Sequence, residues 1–91
     1  MLQESNQKEY LQSDMNGQMR RTVLELCGEA FRLFRVEKDI ASYVREGMRT
    51  QYPGIWHCIV GEKFGSAVSY ESNTFINFYF DRYGILLFKA G

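Results

Sequence analysis

The thiol–imidazole chemistry open to this sequence of 91 residues rests on three side chains: the single histidine, His57, and two cysteines, Cys27 and Cys58. A thiolate works as a nucleophile when a base stands within hydrogen-bond reach. His57 and Cys58 are adjacent in Trp56-His57-Cys58-Ile59-Val60, a run with the composition of a strand. Successive strand residues point to opposite faces, so these neighbours make a poor pair. Cys27 with His57 stays open as a non-adjacent pair, but no third orienting group or nucleophile elbow accompanies it. The cysteines lack CxxC spacing, and one histidine does not complete a zinc set with them. Gly61 and Gly65 lack the rest of either nucleotide fingerprint. The sequence points away from an enzyme, and no cofactor or metal is expected.

A second kind of chemistry needs only backbone. The run at 56–60 is aromatic and β-branched and stops at Gly61; Glu62 and Lys63 make a polar connection; Phe64-Gly65-Ser66-Ala67-Val68-Ser69-Tyr70 then starts again as an extended run. Gly65, Ser66, Ala67 and Ser69 are small where a central strand carries bulk. Small residues in a strand mark a place where another backbone approaches closely. Such a strand suits pairing with an incoming segment.

The elements that must hold this strand follow from periodicity. Residues 1–7 are polar and aperiodic and are expected to form a mobile tail, with one domain over residues 8–91. Residues 8–13 suit a short edge strand around Tyr10 and Leu11. A helix is expected over 16–34, capped by Asn16, with Met19, Val23, Leu26, Cys27, Ala30, Phe31 and Phe34 on one apolar stripe. Cys27 reads there as a small core residue rather than a reactive thiol. A second helix is expected over 36–51. Its apolar face is Val36, Ile40, Tyr43, Val44 and Met48, and Glu37 and Asp39 occupy the first turn, where the helix dipole favours acids. Pro53-Gly54 breaks the chain before the run at 56–60. Residues 74–80 and 83–89 read as two further strands around a turn at Asp81-Arg82. Ile76, Phe78 and Phe80 fall on one face of the first; Phe75, Asn77 and Tyr79 fall on the other. Both faces are largely apolar, so both need a cover. Short links between consecutive strands favour antiparallel pairing. The fold class is therefore α+β, two helices packed on an antiparallel β-sheet.

Composition narrows the partners. Lys plus Arg and Asp plus Glu balance at 11 each, so no net charge draws the chain to nucleic acid or an anionic membrane. No apolar run approaches the roughly 18 residues of a membrane span. Two isolated cysteines without a signal peptide suit a reducing compartment. With 45% hydrophobic residues, including seven Phe and six Tyr, a domain this small carries enough aromatic surface to share with a second subunit.

The segment His57-Cys58-Ile59-Val60-Gly61-Glu62-Lys63-Phe64-Gly65-Ser66-Ala67-Val68-Ser69-Tyr70-Glu71 resembles the signature of the small, homodimeric dynein light chains, a family of peptide-binding hubs. Val36-Glu37-Lys38-Asp39-Ile40-Ala41, Tyr52-Pro53-Gly54-Ile55-Trp56 and Ile85-Leu86-Leu87-Phe88-Lys89 resemble further family segments in the same order, so the likeness covers residues 8–91. The resemblance implies a strand-swapped homodimer, in which residues 64–70 cross to pair with the sheet of a second subunit. It implies a non-catalytic light chain of a dynein motor complex, at microtubules in the cytoplasm. Such a hub binds short linear motifs of disordered partners, the dynein intermediate chain among them, by β-strand addition in two parallel grooves. Carried over residue by residue, the peptide site comprises Lys63, Phe64, Gly65, Ser66, Ala67, Val68, Ser69 and Tyr70 on the strand, with Phe75, Asn77 and Tyr79 on the groove wall. Glu37 and Lys38, at the start of the second helix, receive the glutamine of a Thr-Gln-Thr motif. His57 has two readings: its β-rich apolar setting suits a neutral histidine hydrogen-bonded in a core or interface, and the resemblance matches it to a histidine at the dimer interface whose protonation favours monomers.

The departures matter as much. Ala67 replaces a family Tyr, Tyr70 a His, Asn77 a Tyr and Gly84 an Ala; Glu62 stands where a basic residue is usual, and Ser69 where Thr is usual. Ala90 replaces a Ser whose phosphorylation is linked to dimer control in relatives. Less aromatic bulk at Ala67 and Asn77 is expected to widen or weaken the groove, so that partner preference differs from the usual Gln-centred motif. The alternatives are a specialised paralogue that dimerises non-dynein partners, or a structural subunit with an inactive groove.

Overall fold

The structure, a computed structural model, describes residues 11–62, 69–80 and 82–90. The elements run in the order β1 (Leu11–Ser13), α1 (Gly17–Leu33), α2 (Glu37–Gln51), β2 (Trp56–Gly61), β3 (Ile76–Phe80) and β4 (Tyr83–Lys89). The strands form one antiparallel sheet in the order β1-β3-β4-β2. Both helices pack against a single face of this sheet, where the core lies.

The local signals explain the elements. Asn16 stands in extended conformation ahead of α1 and its side chain accepts from the Met19 N–H at 2.8 Å, as an N-cap does. The expected stripe is the buried one: Val23, Cys27 and Ala30 are sealed, and Met19, Leu26, Phe31 and Phe34 pack against them. In α2 the sealed residues are Ile40, Val44 and Met48. Val36 departs from expectation. It lies one residue ahead of the helix with extended backbone and is 54% exposed, so it does not continue the apolar face.

The strand expected from 74 begins two residues later. Thr74 is buried, and its hydroxyl donates to the Glu71 carbonyl and accepts from the Lys89 N–H, which holds it in a turn. Asp14 takes the backbone at 73–75: its two carboxylate oxygens accept from the N–H groups of Asn73 and Phe75 at 2.8 and 2.9 Å. Asn73 has φ of 69°, the left-handed conformation that asparagine tolerates. Phe80 then pairs with Tyr83 to close the β3–β4 hairpin, and the Phe31 ring of α1 packs at a tilt against both rings, with centroids 4.8 and 5.5 Å away. Asp81 of the expected turn, residues 8–10 of the expected edge strand and the tail at 1–7 lie outside the described residues.

Alternation along the strands sorts two faces. Trp56, Val60, Ile76, Phe78, Ile85 and Leu87 point into the helix-covered core. His57, Ile59, Asn77, Tyr79, Leu86 and Phe88 take the other face. Register sets them in rows there: Gln12, Asn77, Leu86 and Ile59 run side by side across the sheet. Ile59 is 45% exposed, a large apolar side chain in the open.

Candidate functional site

A groove of about 360 Å³ runs between the first half of α2 and β2, lined by Glu37, Lys38, Ala41, Ser42, Arg45, Cys58, Ile59 and Val60. Among the described residues, β2 is the last strand of the sheet and pairs on one side only, with β4. The other edge of β2 presents its N–H and C=O groups to the groove, a template for a further strand. The start of α2 opens onto the same groove. Val36 has no side-chain acceptor to offer the first-turn N–H groups. The Asp39 and Ile40 N–H groups reach the Val36 carbonyl at 3.0 Å, which leaves those of Glu37 and Lys38 for an outside acceptor.

Two of the groove's residues, Glu37 and Lys38, were expected from sequence. Ser42 and Arg45 were not, although their spacing from Lys38 keeps them on the same helix face. Arg45 adds a second cation beside Lys38; its guanidinium lies 3.6 Å from Glu46, which is itself bonded by Arg49 at 2.6 Å. That Arg49 hydrogen bond holds the Glu46 carboxyl below the usual carboxylate range.

Cys58 also lines the groove, and burial pushes its thiol up to about 12, with Arg45 pulling the other way. Burial raises Cys27 further still, with Cys58 adding to the effect. Both thiols are protonated at neutral pH and supply no thiolate. His57 meets neither: it stands on the outer face, exposed, stacked on Phe88 at 5.3 Å, while Cys27 lies in the core on the helix side. The Cys27–His57 pair that the sequence left open is therefore not assembled.

The other expected residues fall elsewhere. Phe75, Asn77 and Tyr79 sit on or just before β3, on the outer face, with β4 between them and β2. Tyr70 stacks on Phe75 at 4.8 Å and bridges Ala90; Ser69 beside it is exposed. The remainder of the expected docking strand, Lys63, Phe64, Gly65, Ser66, Ala67 and Val68, lies outside the described residues. Within one chain, then, the expected site is in two parts: the helix start and the β2 edge on one side, an aromatic wall on the outer sheet face on the other.

Among the described residues, no group of three or more His, Cys, Asp or Glu side chains is placed to hold a metal ion. No described helix is long and apolar enough to cross a membrane.

Comparison with known proteins gives one family. The sequence pattern described as dynein light chain type 1 matches residues 7–90. The fold is similar to the dynein light chain-like domain of the Fasciola hepatica calcium binding protein FhCaBP2, at 20% identity and a TM-score of 0.75, over 90% of this chain and 92% of that one. A mercury derivative of the same domain matches with a TM-score of 0.73 at 20% identity, over 89% and 92% of the two chains. At that identity the likeness concerns the fold: two helices on a four-stranded antiparallel sheet.

Proposed function

The chain belongs to the dynein light chain type 1 family, and from that premise we propose that it is a homodimeric, non-catalytic hub that binds short linear segments of disordered partners by β-strand addition. The observation that carries this reading is the split of the site. Glu37 and Lys38 line a groove at a sheet edge that is unpaired among the described residues, while Phe75, Asn77 and Tyr79 form a wall two strands away on the opposite face. A second copy that adds its own strand at the β2 edge brings one subunit's helix start next to the other's wall. The exposed Ile59 and His57 support the same arrangement, because a second outer face covers them.

In this reading the docking strand is residues 63–70, crossing to the second subunit. The incoming segment gains backbone hydrogen bonds from that strand and side-chain contacts from the wall, and its glutamine amide is received by the start of α2. Two parallel grooves per dimer hold two partner chains together, and the tether makes the second binding event intramolecular. The motor reading follows from the family: a light chain of a dynein complex, bound to its intermediate chain, at microtubules in the cytoplasm. Asn77 and Ala67, where the family has Tyr, favour a second reading, a paralogue specialised for other partners. The calcium binding in the Fasciola protein's name is not part of either reading.

Calorimetric titration with a Thr-Gln-Thr peptide at neutral pH tests the proposal. Saturation at one peptide per chain, on a dimer verified by sedimentation, is the expected result. No binding by that dimer would refute an intact groove of family specificity.

A further inference from the structure

Asn77 stands in the middle of the outer face, half-buried, with Gln12 on β1 and Leu86 on β4 as its cross-strand neighbours. Leu86 is fully buried, and Phe75 and Tyr79 lie two residues to either side on the same face. No group among the described residues hydrogen-bonds the Asn77 amide. A primary amide offers two donors and an acceptor, and no side-chain polar atom among the described residues is buried without a partner, so the half-buried Asn77 amide keeps its access to water and a segment that closes over it must replace those hydrogen bonds.

We infer that Asn77 sets the side-chain preference of the groove, selecting a partner segment with an uncharged hydrogen-bonding residue (Asn, Gln, Ser or Thr) at the position that packs on the Phe75–Tyr79 wall. This inference rests on the peptide-groove reading above and narrows it. The surroundings decide the chemical class. Leu86, Phe75 and Tyr79 make the site too apolar for a charged side chain, which would lose its hydration without gaining an opposite charge. An aliphatic side chain there would shut the amide away from water with no partner, and a site built to hydrogen-bond rejects an analogue that lacks the group. An amide or hydroxyl satisfies Asn77 in either direction, because Asn can donate or accept.

The test is a double-mutant cycle on the full chain. Peptides with a Thr-Gln-Thr core are scanned position by position, each residue replaced in turn by Ser, Asn, Val, Leu, Asp and Lys, and titrated against wild type, Asn77→Val and Asn77→Ser. Wild type should show one position at which Val or Leu binds roughly 10-fold more weakly than Ser or Asn. Asn77→Val should lose that preference, and Asn77→Ser, which keeps a hydroxyl, should retain most of it. Thermal melts and sedimentation establish that each variant is folded and dimeric. Should Asn77→Val and wild type rank the peptides alike, the inference fails while the groove reading stands. Should no peptide in the scan saturate the wild-type dimer, the groove reading fails and carries the inference down with it.

Discussion

Gly28 and Gly47 each sit in the middle of a helix, where glycine costs about 1 kcal/mol relative to alanine. Their surroundings differ. A Cβ built at Gly28 meets nothing within 4 Å, whereas one at Gly47 comes to 2.6 and 2.8 Å from the two methyls of Leu26 on α1. Gly47 therefore sets the closeness of the two helices, and Gly28 does nothing comparable. Gly28→Ala should raise stability by up to about 1 kcal/mol, the full propensity gain. Gly47→Ala should lower it, because overpacking costs about 1–3 kcal/mol and exceeds that gain. Urea denaturation of the two variants beside wild type measures both. Equal shifts in the same direction would mean that Leu26 moves aside freely and that the inter-helix contact is not tight. The sequence shows both glycines inside helical patterns but not which one faces a neighbour, since that depends on how the helices cross.

The two helices also differ at their starts. Asn16 caps α1, while Val36 leaves the first turn of α2 without a side-chain acceptor and is itself mostly exposed. The helix with the poorer start is the one that borders the groove. Val36→Asp should supply the missing cap and a favourable charge at the positive end of the helix, gaining about 1 kcal/mol. It should also compete with the ligand for the same N–H groups, so peptide affinity should fall as the melting temperature rises. A stabilised variant with unchanged affinity would show that the ligand does not use the end of α2. At this scale the sequence was most legible. The helix stripes and the Asn16 cap stand where periodicity put them, within a residue or two. Two positions depart: Thr74 is withdrawn from β3 by hydrogen bonds to Glu71 and Lys89, and Val36 leaves the apolar face because the helix begins after it. The bond from the Lys89 N–H spans 15 residues, beyond the reach of a local window of sequence.

At the scale of the molecule, residues 74–80 already indicate that the sheet is apolar on both faces, but nothing in one chain says what covers the second. His57 stacks on Phe88 beside the exposed Ile59, and in the proposed dimer a second subunit laid over that face would bury an imidazole among apolar groups. A charge fixed at residue 57 would there be shut away from water without a partner, which is costly. His57→Lys should therefore be largely monomeric, and His57→Phe, uncharged, should stay dimeric; sedimentation equilibrium of both beside wild type measures this. A His57→Lys dimer as tight as wild type would mean that residue 57 keeps its access to water in the assembly, and that the second outer face does not cover it.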